Sequence, residues 1–372
     1  MTATRTPRSV QTPPTAPTPQ SVRTPASPRT PQSTSVLMPP SAVDVAPAPW
    51  TGRDDGPGDD NLRWHHVVGL GAGHAEPGDV AFVGFRSDEG VRRNKGRQGA
   101  AEGPAELRAA LGPMALPRPL RALDIGDIEV ADGHLEEGQH RLGQVITPLV
   151  DGGHPVVVLG GGHEVAYGSY IGLAGTRAVR EGGRLGVLNL DAHFDLRDDV
   201  QPSSGTPFLQ MAHAEQQRGA ELNYWVLGVS QPSNTERLFR TADRLGVRYL
   251  PDTHCRMFDL PRVDAFVDAF LASCDIVHLS IDLDVLPAGA APGVSAPAAY
   301  GVQMEIIEHV CARVAAGGAP LLVDVAELNP GLDADRRTAR AGARLIHRIL
   351  TADRTTGSTS DSTQDRRLWQ GR

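Results

Sequence analysis

Cysteine is scarce in this 372-residue chain: Cys255, Cys274 and Cys311 are far apart and odd in number. That excludes a disulfide framework, and a reducing cytoplasm is the expected location. Long hydrophobic runs are missing as well. No segment approaches the roughly 20 apolar residues of a membrane span, and none has the apolar stretch of a secretory signal. No membrane partner is expected. Charge of one sign is also lacking, since 36 Lys and Arg stand against 44 Asp and Glu, a net charge of −8 spread along the sequence. That balance gives no support for a nucleic-acid partner.

The first 60 residues lack apolar clusters. They hold thirteen of the 30 prolines, and from Met1 to about Pro49 they read as Thr-Pro, Ser and Gln. Such a stretch cannot bury enough surface to offset its ordering entropy, so residues 1–60 are expected to form a disordered tail. Four arginines without an acid in the first 40 residues have the composition of an organelle-targeting peptide. The Thr-Pro repeats oppose the amphipathic helix which that peptide needs. Residues 352–372, rich in Ser, Thr, Asp and Arg, read as a second loose tail. Residues 61–351 remain, enough for one large α/β domain with a substantial core.

Within that region short apolar runs alternate with helical spacing. The expected strands are Val80–Phe85, Arg121–Ile125, Pro155–Leu159, Leu185–Leu190, Tyr224–Val229, Arg248–Leu250, Ile276–Ile281 and Pro320–Val325. The expected helices are Pro104–Leu111, Glu136–Val150, Glu164–Leu173, Pro207–Gln217, Thr235–Leu245, Val263–Leu271, Gln303–Ala315 and Asp335–Leu350. Runs that are apolar throughout indicate burial on both faces. Regular β-then-α order indicates a mostly parallel sheet covered by helices on both sides.

In such sheets ligands bind outside the carboxyl ends of the strands, so the residues just after each run carry the chemistry. Val156–Leu159 leads into Gly160-Gly161-Gly162-His163-Glu164, and Val187–Leu190 into Asp191-Ala192-His193-Phe194-Asp195. Val277–Ile281 leads into Asp282-Leu283-Asp284, and Leu321–Val325 into Ala326-Glu327. Residues two apart on an extended chain point the same way, so Asp191, His193 and Asp195 project together, as do Asp282 and Asp284. With His163 they make six ligands. Four carboxylates beside two neutral imidazoles balance two divalent cations, and without cations their repulsion would force protonation. Oxygen-rich ligands with some imidazole favour manganese over iron, cobalt or zinc. Alone, His163 reads as a loop residue and Asp282-Leu283-Asp284 as a solvated turn. Their joint placement at strand ends favours the metal reading.

These motifs resemble the ureohydrolase superfamily of arginases and agmatinases from about Asp79 to His347, including Ser280-Ile281-Asp282-Leu283-Asp284, Ala291-Pro292-Gly293 and Glu327. The resemblance implies a three-layer α/β/α fold with a parallel sheet of about eight strands, a dimanganese centre on the six ligands, and homo-oligomeric assembly. Within the superfamily, Ser87–Arg97, Gly160–Glu164 and Ser203–Phe208 look most like the formimidoylglutamase subgroup. The implied reaction, in histidine degradation, is N-formimidoyl-L-glutamate plus water to L-glutamate plus formamide. Two features depart from arginases and agmatinases: Gly162 stands where those enzymes carry Asp, and Ser204-Gly205-Thr206-Pro207 stands where they carry a proton-moving His.

Water held between two divalent cations about 3.5–4 Å apart can lose a proton near neutral pH and attack an amidine carbon. Asp195 is the candidate to hydrogen-bond that nucleophile and relay its proton, and Glu327 the candidate to hold the amidinium-like nitrogen. A small-molecule dicarboxylate substrate needs fixed cations. The Arg92-Arg93-Asn94-Lys95-Gly96-Arg97 loop offers them, with Arg92, Arg93, Asn94 and Arg97 as candidates beside Ser203 and Ser204. The competing readings are an agmatinase or other guanidino-acid hydrolase, and a non-catalytic metal-free homologue.

Overall fold

The computed structural model describes residues 42–71 and 75–352. Its strands are β1 (Val68–Leu70), β2 (Val80–Arg86), β3 (Ala122–Glu129), β4 (Val156–Leu159), β5 (Leu185–Leu190), β6 (Asn223–Val229), β7 (Arg248–Pro251), β8 (Ile276–Asp282) and β9 (Leu321–Ala326). Its helices are α1 (Trp64–Val67), α2 (Glu89–Arg93), α3 (Gly103–Leu111), α4 (Leu135–Asp151), α5 (Val165–Ala174), α6 (Arg177–Arg180), α7 (Pro207–Gln217), α8 (Glu236–Arg244), α9 (Leu260–Ala272), α10 (Met304–Ala316) and α11 (Arg337–Thr351). All eight expected strands and all eight expected helices form. The additions are β1, α1, α2 and α6, each of three to five residues and too short to carry a period.

The strands make one nine-stranded sheet in the order β1-β3-β2-β4-β9-β8-β5-β6-β7, and every pairing between them is parallel. The pleat sends alternate residues to opposite faces. Phe82, Val157, Leu188, Leu279 and Val323 join the core under α3, α9, α10 and α11. Ala81, Val83, Val156, Val158 and Leu322 pack with α4 and α5 on the other side, and Val187, Tyr224 and Val226 with α5, α7 and α8. Both faces are therefore covered, as runs of unbroken apolar residues require.

The expected tail boundary at residue 60 needs correction. Residues 1–41 and 353–372 lie outside the described residues, but the segment from 42 to 60 is placed, and part of it packs on the domain. Val45 forms an antiparallel bridge with Asp127. Trp50 is 9% exposed, sits 5.1 Å from the Phe82 ring, and donates its indole N–H to Asp124 Oδ2 at 2.7 Å. Proline-rich composition predicts weak local structure, but one tryptophan brings a large apolar surface and a polar handle that needs a buried acceptor. Arg108 binds the same carboxylate at 2.7 and 2.9 Å, so the strap closes over an ion pair. Trp50→Phe keeps most of the packing and removes one hydrogen bond to a charged group, so urea denaturation should show a loss of about 1.5–3 kcal/mol. An unchanged midpoint would mean that this bond adds nothing to folding.

Candidate metal centre

The chain lays down β4, then skips two positions to lay down β5, and β8 and β9 later fill the gap. In open parallel sheets ligands bind outside the carboxyl ends of the strands. The four neighbours β4, β9, β8 and β5 each deliver part of the cluster there: His163 after β4, Glu327 after β9, Asp282 and Asp284 at the end of β8, and Asp191, His193 and Asp195 after β5.

The six predicted ligands meet in two overlapping groups. His163, Asp191, Asp195 and Asp282 form one, and Asp191, His193 and Asp284 form the other, with the ligand atoms of each group within 4.8 Å of one another. His163 Nδ1 faces Asp191 Oδ2 at 3.2 Å, Asp195 Oδ2 at 2.9 Å and Asp282 Oδ2 at 3.1 Å. His193 Nδ1 faces Asp284 Oδ2 at 3.0 Å and the other Asp191 oxygen at 3.4 Å. Asp191 thus belongs to both groups, one oxygen to each.

Local contacts aim these groups. Asn189 donates to Asp191 Oδ2 at 2.9 Å, and the His193 backbone N–H donates to Asp191 Oδ1 at 2.6 Å. The Asp284 N–H donates to Asp282 Oδ1 at 2.8 Å. Behind His163, Nε2 lies 2.9 Å from Ser280 Oγ, which donates to Asp324 Oδ1 at 2.5 Å, while His278 Nε2 meets Asp324 Oδ2 at 2.5 Å. Because Ser280 spends its proton on Asp324, His163 donates from Nε2, and in the neutral ring Nδ1 is a bare lone pair facing the carboxylates. Asp195 (φ 46°) and Glu327 (φ 68°) hold left-handed backbone, a strained state for such residues. Gly161 has no room for a side chain, since a Cβ there would fall 1.8 Å from the Ser87 carbonyl oxygen.

The donor set fits a pair of cations. Buried His163 Nδ1 has no hydrogen-bond partner among the described residues, yet three carboxylate oxygens surround it, an arrangement that repels unless a positive charge lies between them. Burial and the charges of Asp284 and Asp191 push the Asp282 carboxyl far above the usual range. Burial and Asp191 raise Asp195, and burial raises Asp284 against the pull of His193. Burial would raise Asp191 too, but hydrogen bonds to His163 and His193 outweigh it and hold that carboxyl low. Burial opposes protonation of both histidines, and the surrounding carboxylates override it. Glu327, raised to about 8 by burial and by the neighbouring Glu164, accepts the His163 backbone N–H at 2.9 Å.

The cluster opens into a cavity of about 380 Å³. Of the predicted substrate residues, Asn94, Arg97 and Ser204 line it, and Asn94 donates to Ser204 Oγ at 3.1 Å. Arg97 spends its guanidinium on the Ser295 and Val294 carbonyls. Arg92, Arg93 and Ser203 are not on the cavity wall. Arg92 pairs with Glu89 at the surface. Arg93 is taken up by Glu89, Glu136 and the carbonyls of Gly133 and Pro202. Ser203 accepts the Gly205 N–H within its own turn. Two further cations line the cavity: Lys95, the only lysine in the sequence and one of the four cations of the 92–97 segment though not among the named candidates, and Arg197, which the sequence reading did not bring forward. Neither side chain has a hydrogen bond or ion pair among the described residues. A signal for Arg197 was present, because it continues the two-residue spacing of Asp191, His193 and Asp195.

Without cations, the raised carboxyls and histidines contribute stability that is present at low pH and lost as pH climbs through their folded values; Asp191, held low, has the opposite sign and is already ionised above about pH 5. The rise in melting temperature on adding Mn²⁺ should therefore widen from about pH 5.5 to pH 8. A rise that stays flat across that range would separate the cluster from metal binding. His193→Ala should lower the bound metal from two ions to one, read by elemental analysis, because only one of the two groups contains it.

Comparison with known proteins agrees with this geometry. The Arginase family model matches residues 78–352. A formimidoylglutamase of Nocardia farcinica is 62% identical over 308 residues, covering 82% of this chain and 97% of the relative. Among solved structures, Bacillus subtilis formimidoylglutamase has a TM-score of 0.70 at 20% identity, covering 81% of this chain and 95% of its own. Trypanosoma cruzi formiminoglutamase with Mn²⁺ has a TM-score of 0.65 at 26% identity, covering 75% and 94%. With nine parallel strands, a cluster of two histidines and four aspartates at their carboxyl ends and these relatives, the chain belongs to the arginase family.

Proposed function

We propose that the protein hydrolyses N-formimidoyl-L-glutamate to L-glutamate and formamide, a step of histidine degradation, with two Mn²⁺ ions held by His163, Asp191, His193, Asp195, Asp282 and Asp284. The observation that carries the reading is the cavity itself: a buried acidic cluster at its base, and on its wall two cations, Lys95 and Arg197, that no acid neutralises among the described residues. A substrate with two carboxylates and an amidine matches that polarity. Relatives named formimidoylglutamase, at 62% and 57% identity, support the same choice.

When bound, the cation pair lets water act as a nucleophile near neutral pH. The protein's own groups do the rest. Asp195, at the cluster's edge and on the cavity wall, accepts the proton of the attacking water and passes it to the departing amine. Glu327, held by the His163 N–H, hydrogen-bonds the amidine nitrogen that leaves with formamide. Attack at the formimidoyl carbon breaks its bond to the glutamate nitrogen. Lys95 and Arg197 take the carboxylates, with Asn94 and Ser204 beside them. Agmatine is a cation, and these unpaired cations would repel it.

The direct test compares Mn²⁺-loaded protein on formimidoylglutamate, agmatine and guanidinobutyrate. Formamide should appear from the first, and no urea from the others; urea release at a comparable rate would overturn the substrate assignment. Lys95→Ala and Arg197→Ala should each raise KM for formimidoylglutamate about tenfold or more, the loss expected for one hydrogen bond to a charged group. A formamidine without carboxylates should show little change in KM. Equal effects on both compounds would take the carboxylate role away from these residues.

A further inference from the structure

Glu164 follows a metal-facing residue, yet it belongs to neither ligand group. Its side chain is fully buried. Oε1 accepts from Ser87 Oγ at 2.8 Å and from the Gly90 backbone N–H at 2.9 Å. Oε2 has no hydrogen-bond partner among the described residues. Its backbone is pinned as well, since Gln139 Nε2 donates to the Glu164 carbonyl at 2.8 Å.

The carboxylate fills a slot between two glycines. A Cβ on Gly90 would lie 2.5 Å from Glu164 Cδ, and one on Gly162 would lie 2.2 Å from Oε2. A side chain at position 162 would meet the Glu164 carboxylate and Val91, so Gly162 leaves the slot to Glu164. Gly90 belongs to α2, and α2 runs straight into Asn94, Lys95, Gly96 and Arg97 on the cavity wall. The far end of this excursion is tied back where the Gly99 N–H donates to Asp88 Oδ2 at 2.7 Å. Glu164, next to His163 in the chain, is thus hydrogen-bonded to the helix that leads into Lys95.

We infer that Glu164 is a positioning residue. It sets the separation between the ligand cluster and the 94–97 wall, and through it selects for carboxylate-bearing substrates; this rests on the substrate class proposed above. A buried carboxylate with one bare oxygen costs stability, which makes it a poor choice for packing alone. Holding two donors on one oxygen gives it a task that an apolar residue cannot perform.

The experiment uses the full chain with Mn²⁺. Glu164→Ala should raise KM for formimidoylglutamate roughly tenfold, change KM for a carboxylate-free formamidine by less than about twofold, and retain two Mn²⁺. Glu164→Gln keeps an acceptor oxygen and should recover most of the loss. Hydrogen exchange of the Gly90–Arg97 amides should quicken in Glu164→Ala and return towards wild type in Glu164→Gln. Equal KM increases on both compounds, loss of manganese, or no change in either readout would overturn the role. If Glu164→Ala does not fold, Ser87→Ala, which removes one of the two donors to Oε1, carries the test, with smaller shifts of the same kind expected and their absence counting against the proposal. Wild-type protein that binds two Mn²⁺ but leaves formimidoylglutamate intact would sink the substrate reading alone, and the exchange data would still judge Glu164.

Discussion

Four carboxylates that lose their water at one point repel one another, and that repulsion governs this molecule. Asp191, Asp195, Asp282 and Asp284 are tolerated because two imidazoles and a backbone scaffold present them as ligands. The cost of assembling them is met by the rest of the sheet. Four adjacent strands, buried on both faces, hold the carboxyl ends in a fixed register, and Ser280 is paired with Asp324 by that register. The hydrogen bond that orients His163 is thus a property of how β8 and β9 align. A slip of β9 by one residue against β8 would turn Asp324 to the other face, away from Ser280.

The inner part of the site was legible because it obeys short-range geometry. The Asp191–Asp195 and Asp282–Asp284 motifs both stand at the end of a strand, which is what made them readable. The chain there is turned and not extended: Asp195 has φ 46°, Leu283–Val285 is a 3-10 turn, and Asp191 and Asp282 each accept the backbone N–H two residues on. The parallel sheet then makes strand ends coincide. Strand and helix positions were readable for the same reason: each run is long enough to express a period. Strand β1, with three residues at the sheet edge and two of them exposed, expresses none.

The outer part of the site was legible only as a segment. Residues 92–97 were read as one basic loop, whereas Arg92 and Arg93 close α2 and only residues 94–97 reach the cavity; which cation is free depends on groups distant in sequence. Arg93 is claimed by Glu136, 43 positions away, and Arg97 by carbonyls some 200 positions away. No local pattern encodes those claims. Trp50 is a similar case, since its acceptor, Asp124, lies 74 residues along the chain. Composition described the neighbourhood of Trp50 well and Trp50 itself poorly.

Lys95 has one more consequence. Guanidinium groups are inert to most acylating and carbamoylating agents, whereas a primary amine is not, and this sequence contains a single lysine. Apart from the chain's own amino terminus, a reagent such as cyanate or an activated ester therefore meets one addressable amine, and it stands at the entrance to the cluster. A general surface chemistry becomes, for this protein, an active-site label.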